Sequence, residues 1–264
     1  VRQFVPKVNP RGVSLISVGP KDLSNVRKVV IYAPGYPGDA IETAYVLGRE
    51  IITTNDNNDT ATFIIQYRGV ISQEMLLKGT GFRPEDLMRP LRIADGEFSF
   101  ENAFDSVNQV IDELVERFPS AARYFIGHSY AGLAALERLG DARLARVIFF
   151  NPVIDIAGFN RDYEVRRLLE YGIKTGKIRG DVNRLLAEQP RLIARFNSLS
   201  ESVRAVRTPV SVYRGLKDID FPDYHIEQLV RRVTESGGTV VPHVIPNGDH
   251  NFNEDYGRRE LFAS

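Results

Sequence analysis

Cysteine is missing altogether from the 264 residues. Its absence excludes disulfide bonds, thiolate catalysis and any metal site built on cysteine ligands, and it leaves the redox compartment unspecified. Net charge is missing as well, because 34 Lys and Arg offset 34 Asp and Glu. No global field therefore draws the chain to nucleic acid or to an anionic membrane surface. The paired cations Arg166-Arg167 and Arg231-Arg232 fall in amphipathic stretches and read as solvated helix faces. No apolar run approaches the ~18 residues that a membrane helix needs, so the expectation is a soluble protein. The chain opens at Val1, and a leader removed beforehand would leave no trace, so the compartment stays open between cytoplasmic and secreted. Internal repeats and low-complexity linkers are also lacking. The run "NDNND" (55–59) lacks the mid-loop glycine and closing glutamate of a calcium loop and reads as a polar turn. No metal or cofactor is expected.

What is present is an ordinary globular balance, 43% hydrophobic and 26% charged, in a chain long enough to bury a substantial core. Short apolar runs alternate with segments of helical period. The strand candidates are "VSLISV" (13–18), "KVVIYA" (28–33), "ATFIIQY" (61–67), "RYFIG" (123–127), "RVIFFN" (146–151), "VSVYR" (210–214) and "TVVPHVI" (239–245). Several are apolar on successive residues, as strands covered on both faces of a parallel sheet are. Between them, 101–118 carries a helical stripe at Phe104, Val107, Val110, Ile111, Leu114 and Phe118. Segment 39–53 begins like a capping box, and 223–235 is a second amphipathic helix closed by Gly237-Gly238. The alternation predicts one α/β domain over residues 1–264, doubly wound on a mostly parallel sheet, its first strands forming an antiparallel edge.

Within that frame Ser129 stands out. It follows the strand "RYFIG" and precedes the helix "AGLAAL", with Gly127 two residues before and Ala131 two after. A sharp strand-to-helix turn of this kind strains the serine backbone and lifts its Oγ above the sheet edge. A hydroxyl is a poor nucleophile at neutral pH and needs an imidazole base and a carboxylate to orient that base. Of four histidines, His128 belongs to the turn itself, where its side chain is expected to point away and pack. His225 is expected to be a partly exposed helix residue, and His243 a half-buried strand residue. His250, in the loop "PNGDHNF" past the last strand, can reach over the sheet end. The loop "GLKDIDFP" (215–222) offers Asp218 close to a strand end and Asp220, read as facing solvent or capping the next helix. The order Ser129, Asp218, His250 follows. Donors for a tetrahedral oxyanion are expected from the N–H of Tyr130 and of Tyr36, the latter in "PGYPGD" (34–39), with the hydroxyl of Tyr32 or Tyr36 as a supplement.

Six stretches, "YAPGYPG", "QYRGV" (66–70), "GHSYAG" (127–132), "FFNPVIDI" (149–156), "GLKDIDFP" and "GDHNF" (248–252), together resemble an α/β-hydrolase. Within that superfamily the chain is similar to the catalytic domain of the prolyl oligopeptidase family, here with no propeller segment in the 264 residues. The resemblance implies Ser129 as nucleophile, His250 as base, Asp218 as orienting acid and a tyrosine-assisted oxyanion hole.

Residues 153–208 exceed an ordinary crossover and hold helical patterns near 161–171 and 180–197, as in a lid or cap insertion. Tyr32, Phe159 and Tyr163 are candidate substrate contacts. The expected activity is cleavage of an ester or an amide/peptide bond in a small-molecule substrate through an acyl-enzyme. Two alternatives stay open: transfer of the same acyl group to another acceptor or to itself in cyclisation, and a non-catalytic binding module. Oligomeric state is not legible.

Overall fold

In the computed structural model the described residues are 2–4, 14–20, 22–36, 38, 40, 43, 59–70, 96–162, 165–202, 206–218 and 223–251. Among these residues eight strands form one sheet: β1 (Arg2–Phe4), β2 (Ser14–Val18), β3 (Lys28–Ala33), β4 (Thr60–Gln66), β5 (Ala122–His128), β6 (Arg146–Phe150), β7 (Val210–Gly215) and β8 (Val240–Ile245). Their order is β1-β2-β4-β3-β5-β6-β7-β8. The pairs β1/β2 and β2/β4 are antiparallel, and the six strands from β4 to β8 run parallel. All seven expected strands are present, and the antiparallel edge lies where it was placed. All seven residues of β4 are buried, Thr60 to Gln66, so its largely β-branched and apolar run reflects cover on both faces.

The chain passes outward from β3 to β4, then returns to set β5 on the other side of β3. Connections therefore leave β3 and β5 in opposite directions, which opens a crevice at the carboxyl ends of these two strands. That crevice positions the site.

Helix α1 (Phe100–Arg117) fits the expected stripe and buries Phe104, Val107, Val110, Ile111 and Leu114 against the sheet. Its N-terminus is capped twice. Ser99 Oγ accepts from Asn102 N–H, and the buried carboxylate of Glu188 accepts from Phe100 N–H at 2.7 Å and from Ser99 Oγ–H at 3.1 Å. Such charge-assisted bonds satisfy helix-end donors that otherwise lack partners and complement the helix dipole. Helix α2 (Gly132–Leu136) follows the turn after β5.

Residues 153–208 hold α3 (Ile156–Asp162), α4 (Val165–Lys174) and α5 (Val182–Ser202). This segment is pinned to the rest of the fold at several points. Glu188 on α5 caps α1, and Arg195 on α5 meets Glu137 at 2.5 Å and Asp105 at 3.1 Å. Phe98 N–H donates to Arg179 O, and Arg179 N–H to Gly69 O, both at 2.7 Å.

Helix α6 (Tyr224–Glu235) corrects one expectation. His225 is 1% exposed, not partly exposed, because it shares the inward stripe with Leu229 and Val233. Its Nδ1 accepts from Ile154 N–H at 3.2 Å and Asp155 N–H at 3.3 Å, which ties α6 to the chain leaving β6. The helix expected over 39–53 lies, apart from Ala40 and Thr43, outside the described residues, as do most of 55–59 and all of Tyr163, Asp220 and Phe252.

Candidate active site

Ser129 opens a 3₁₀ turn directly after β5, with φ at 53°. An L-residue in the left-handed region is strained, and the strain points its side chain out of the strand line. Glycine at two places makes the turn sterically possible. A Cβ on Gly127 would stand 2.6 Å from Ala131 O, and one on Gly35 would stand 2.5 Å from Ser129 Cβ. The loop after β3 therefore passes with its bare backbone against the serine. Ala131, where a second glycine is usual in such turns, fits at 4% exposure.

Side chains from three strand ends converge here. Ser129 Oγ lies 3.1 Å from His250 Nε2, and His250 Nδ1 lies 2.9 Å from Asp218 Oδ2. With the serine donating to Nε2, the ring proton sits on Nδ1 and is donated to the carboxylate. The Asp218 side chain is 1% exposed and the His250 side chain 16%, so the carboxylate is shielded while the imidazole edge stays reachable. Together these groups can take a proton from a hydroxyl and return it to a leaving group.

His128 does not simply pack. It is buried, and its Nε2 lies 2.9 Å from the backbone carbonyl oxygen of His250. Burial, followed by the neighbouring His250, pushes its pKa down to about 3, so the ring is neutral and carries its proton on Nε2 to donate to that carbonyl. His243 is half-buried and stacks on Tyr213 with ring centroids 4.4 Å apart.

The tyrosines divide by position. Tyr130 N–H follows Ser129 directly, while its ring packs among Phe100, Phe104 and Phe159 and its hydroxyl donates to Gln189 Oε1 at 3.1 Å. Tyr36 follows Gly35, and its ring lies 4.7 Å from both Phe98 and Phe100. Its buried hydroxyl is held well above the usual phenol range by burial, with Tyr130 and Glu188 adding to the shift. Tyr32 is 5% exposed, edge-on to Phe150 and tilted against His128. Phe159 is likewise buried. A groove of about 650 Å³ runs along α3, α4 and α5, walled by Asn160, Val165, Leu186, Gln189 and Ile193. Gln189 joins it to the turn, since its Oε1 accepts from both Asn160 and Tyr130.

Sequence reasoning missed two residues that hold this arrangement. Glu188 lies unremarked within the helical pattern 180–197, and Asn151 closes the strand candidate "RVIFFN". Asn151 has φ at 39°, and with Ser129 it is one of two non-glycine residues at positive φ among those described. The Asn-Pro pair after a strand was the available signal for a turn there.

No protein-family model matches the chain, and no curated protein does. Solved structures do. Alpha/beta hydrolase domain-containing protein 10 from mouse is 16% identical with a TM-score of 0.60, over 95% of this chain and 91% of that one. A soluble variant of monoglyceride lipase from Saccharomyces cerevisiae is 11% identical with a TM-score of 0.63, over 95% and 89%. The acylaminoacyl peptidase of Pyrococcus horikoshii is 15% identical with a TM-score of 0.60, over 98% of this chain but 39% of that one. The fold is that of the α/β-hydrolases. Among the described residues no helix is long and apolar enough to cross a membrane.

Proposed function

We propose that the chain is a serine hydrolase that cleaves an ester or amide bond through an acyl-enzyme on Ser129. One observation carries the reading: two hydrogen bonds in series, 3.1 Å from Ser129 Oγ to His250 Nε2 and 2.9 Å from His250 Nδ1 to Asp218, at a serine with φ of 53°. Packing alone requires neither that relay nor that backbone strain.

In this reading His250 Nε2 takes the hydroxyl proton as Ser129 Oγ attacks the substrate carbonyl. Asp218 holds the imidazole in the required tautomer and balances the imidazolium that forms. The N–H groups of Tyr130 and Tyr36 receive the developing oxyanion, because one adjoins the nucleophile and the other follows the Gly35 backbone that passes against it. His250 then protonates the leaving alcohol or amine, the C–O or C–N bond breaks, and water repeats the sequence to release the acid.

Residues 153–208 serve as a cap within a single domain, with Tyr32, Phe159 and Tyr163 as the substrate contacts. The tyrosine after the serine and the "QYRGV" stretch support a likeness to prolyl oligopeptidase catalytic domains, so amide and peptide substrates belong in the test beside esters. Short acyl esters, long acyl esters and aminoacyl or peptidyl amides are to be assayed against Ser129→Ala as the blank. Turnover of at least one class that vanishes in the blank is expected. Equal rates in both proteins, or ligand binding without turnover in either, would replace the hydrolase reading.

A further inference from the structure

The loop that carries His250 is held by more than its own backbone. Asn151 is 2% exposed and sits at the end of β6, beside the Ser129 turn at the end of β5. Its Nδ2 donates to His250 O at 2.9 Å and to Asp249 O at 3.1 Å. Its Oδ1 accepts from Gly215 N–H at 2.9 Å, where the loop that bears Asp218 begins. Its own N–H donates to Tyr213 O at 2.9 Å, which anchors it to β7. Both amide hydrogens and one amide acceptor site are thus spent on the two loops that supply the acid and the base.

His128 completes the arrangement from β5, the strand paired with β6. A carbonyl oxygen has two lone pairs, and His250 O receives Asn151 Nδ2–H and His128 Nε2–H, each at 2.9 Å. The loops are also joined directly by Lys217 N–H to Gly248 O at 2.8 Å and Leu216 N–H to Ile245 O at 3.0 Å. The side chains add what those backbone bonds lack, a hold on the His250 peptide itself. A buried network with every member satisfied gives one geometry rather than several. The positive φ of Asn151 fits this role, since asparagine tolerates the left-handed region better than most residues.

We infer that Asn151, together with His128, is a positioning residue for the general base: it sets His250 in register with both Asp218 and Ser129 by grasping the His250 carbonyl and the Gly215 amide. This rests on the hydrolase reading for its consequence in catalysis, though the clamp is a claim about resting geometry. Neither residue touches substrate in this scheme. Binding is therefore preserved when the clamp is lost, while the chemical step slows.

The variants are chosen to keep shape. Asn151→Asp retains the acceptor for Gly215 N–H and sets a carboxylate oxygen against the two carbonyls that Nδ2 served. His128→Phe removes the donor, and His128→Gln restores an N–H near the position of Nε2. Because displacement of a reacting group by 1 Å costs about 100-fold, kcat on an ester that the wild type turns over in a Ser129-dependent manner should fall about 10- to 100-fold in N151D and in H128F. KM should stay within about twofold, and H128Q should recover most of the loss. Should N151D fail to fold, the His128 pair decides. Wild-type kcat in folded H128F, or equal losses in H128F and H128Q, would overturn the proposal. A second readout needs no turnover and so separates this idea from the hydrolase reading. The far-downfield proton resonance of His250 Nδ1–H should be present in wild type and S129A and shifted or lost in N151D and H128F. An unchanged resonance in those two variants would overturn the clamp even if the enzyme proves active.

Discussion

At the rim formed by the ends of β5, β6, β7 and β8, the polar groups are mostly buried and bonded to one another and to the backbone. Ser129 and Asn151 adopt positive φ there, and His128 and Asn151 reach carbonyls rather than other side chains. The segment of residues 153–208 is fastened differently. It uses ion pairs of mixed exposure, such as Arg195 with Glu137 and Asp105 and Arg191 with Glu101, beside the buried carboxylate of Glu188. The contrast separates two tasks. The rim carries backbone strain at Ser129 and Asn151, whereas the 153–208 segment is held by side-chain ion pairs. Partly exposed ion pairs suffice for docking because each contributes about 0–1 kcal/mol and several act together.

The largest effect that would sharpen this contrast is catalytic. Ser129→Ala should lower turnover by about 10⁴-fold or more with no loss of thermal stability, read by ester hydrolysis beside a melting curve. A stability loss comparable to that of a core deletion would mean that the serine is structural. In the insertion the leading effect should be on stability. Glu188→Ala removes the acceptor for Phe100 N–H and Ser99 Oγ–H and should cost about 2–3 kcal/mol in denaturant unfolding. If Glu188→Ala instead left stability unchanged and abolished activity, the carboxylate would belong to the site and not to the docking.

The third test concerns acid. In the folded chain His128 is pushed from 6.5 down to about 3 by burial and by His250. Between those values the unfolded chain binds a proton that the native chain refuses, so stability must fall as pH is lowered through the window. One proton gives a slope of up to about 1.4 kcal/mol per pH unit. His128→Gln should flatten the stability curve between about pH 6.5 and 3 and leave it unchanged above pH 7, by urea unfolding at stepped pH. The smallest effect concerns the strain itself. Ser129→Gly should gain about 1 kcal/mol by relieving the left-handed backbone, whereas Asn151→Gly, with the same relief, should lose about 2 kcal/mol because it leaves buried groups of the two loops without partners. Equal signs for the two would remove the distinction between a residue strained for presentation and one strained for fastening.

Much of this architecture was legible in the sequence, for a physical reason. Apolar runs and helical stripes report burial, so the seven longer strands, α1 and α6 follow from them. The three side chains that meet at the crevice also follow, because Ser129, Asp218 and His250 each come just after a strand. The three-residue β1 is too short to carry a pattern, and the placement of β4 outside β3 depends on pairing between distant segments. His225, Glu188 and Asn151 were misjudged or missed on common ground. A polar side chain is read as exposed until a partner is visible, and their backbone partners lie 64 to 99 positions away, from Gly215 to His250 for Asn151, with those of His225 and Glu188 in between, which local periodicity does not encode.

Reaction of the folded wild-type chain with a fluorophosphonate, followed by mass spectrometry of the peptide spanning 127–132, tests the central claim most directly. The account predicts a single adduct on Ser129, formed at a rate that falls sharply in His250→Ala. An unlabelled Ser129 in correctly folded protein, or labelling indifferent to His250, would contradict it.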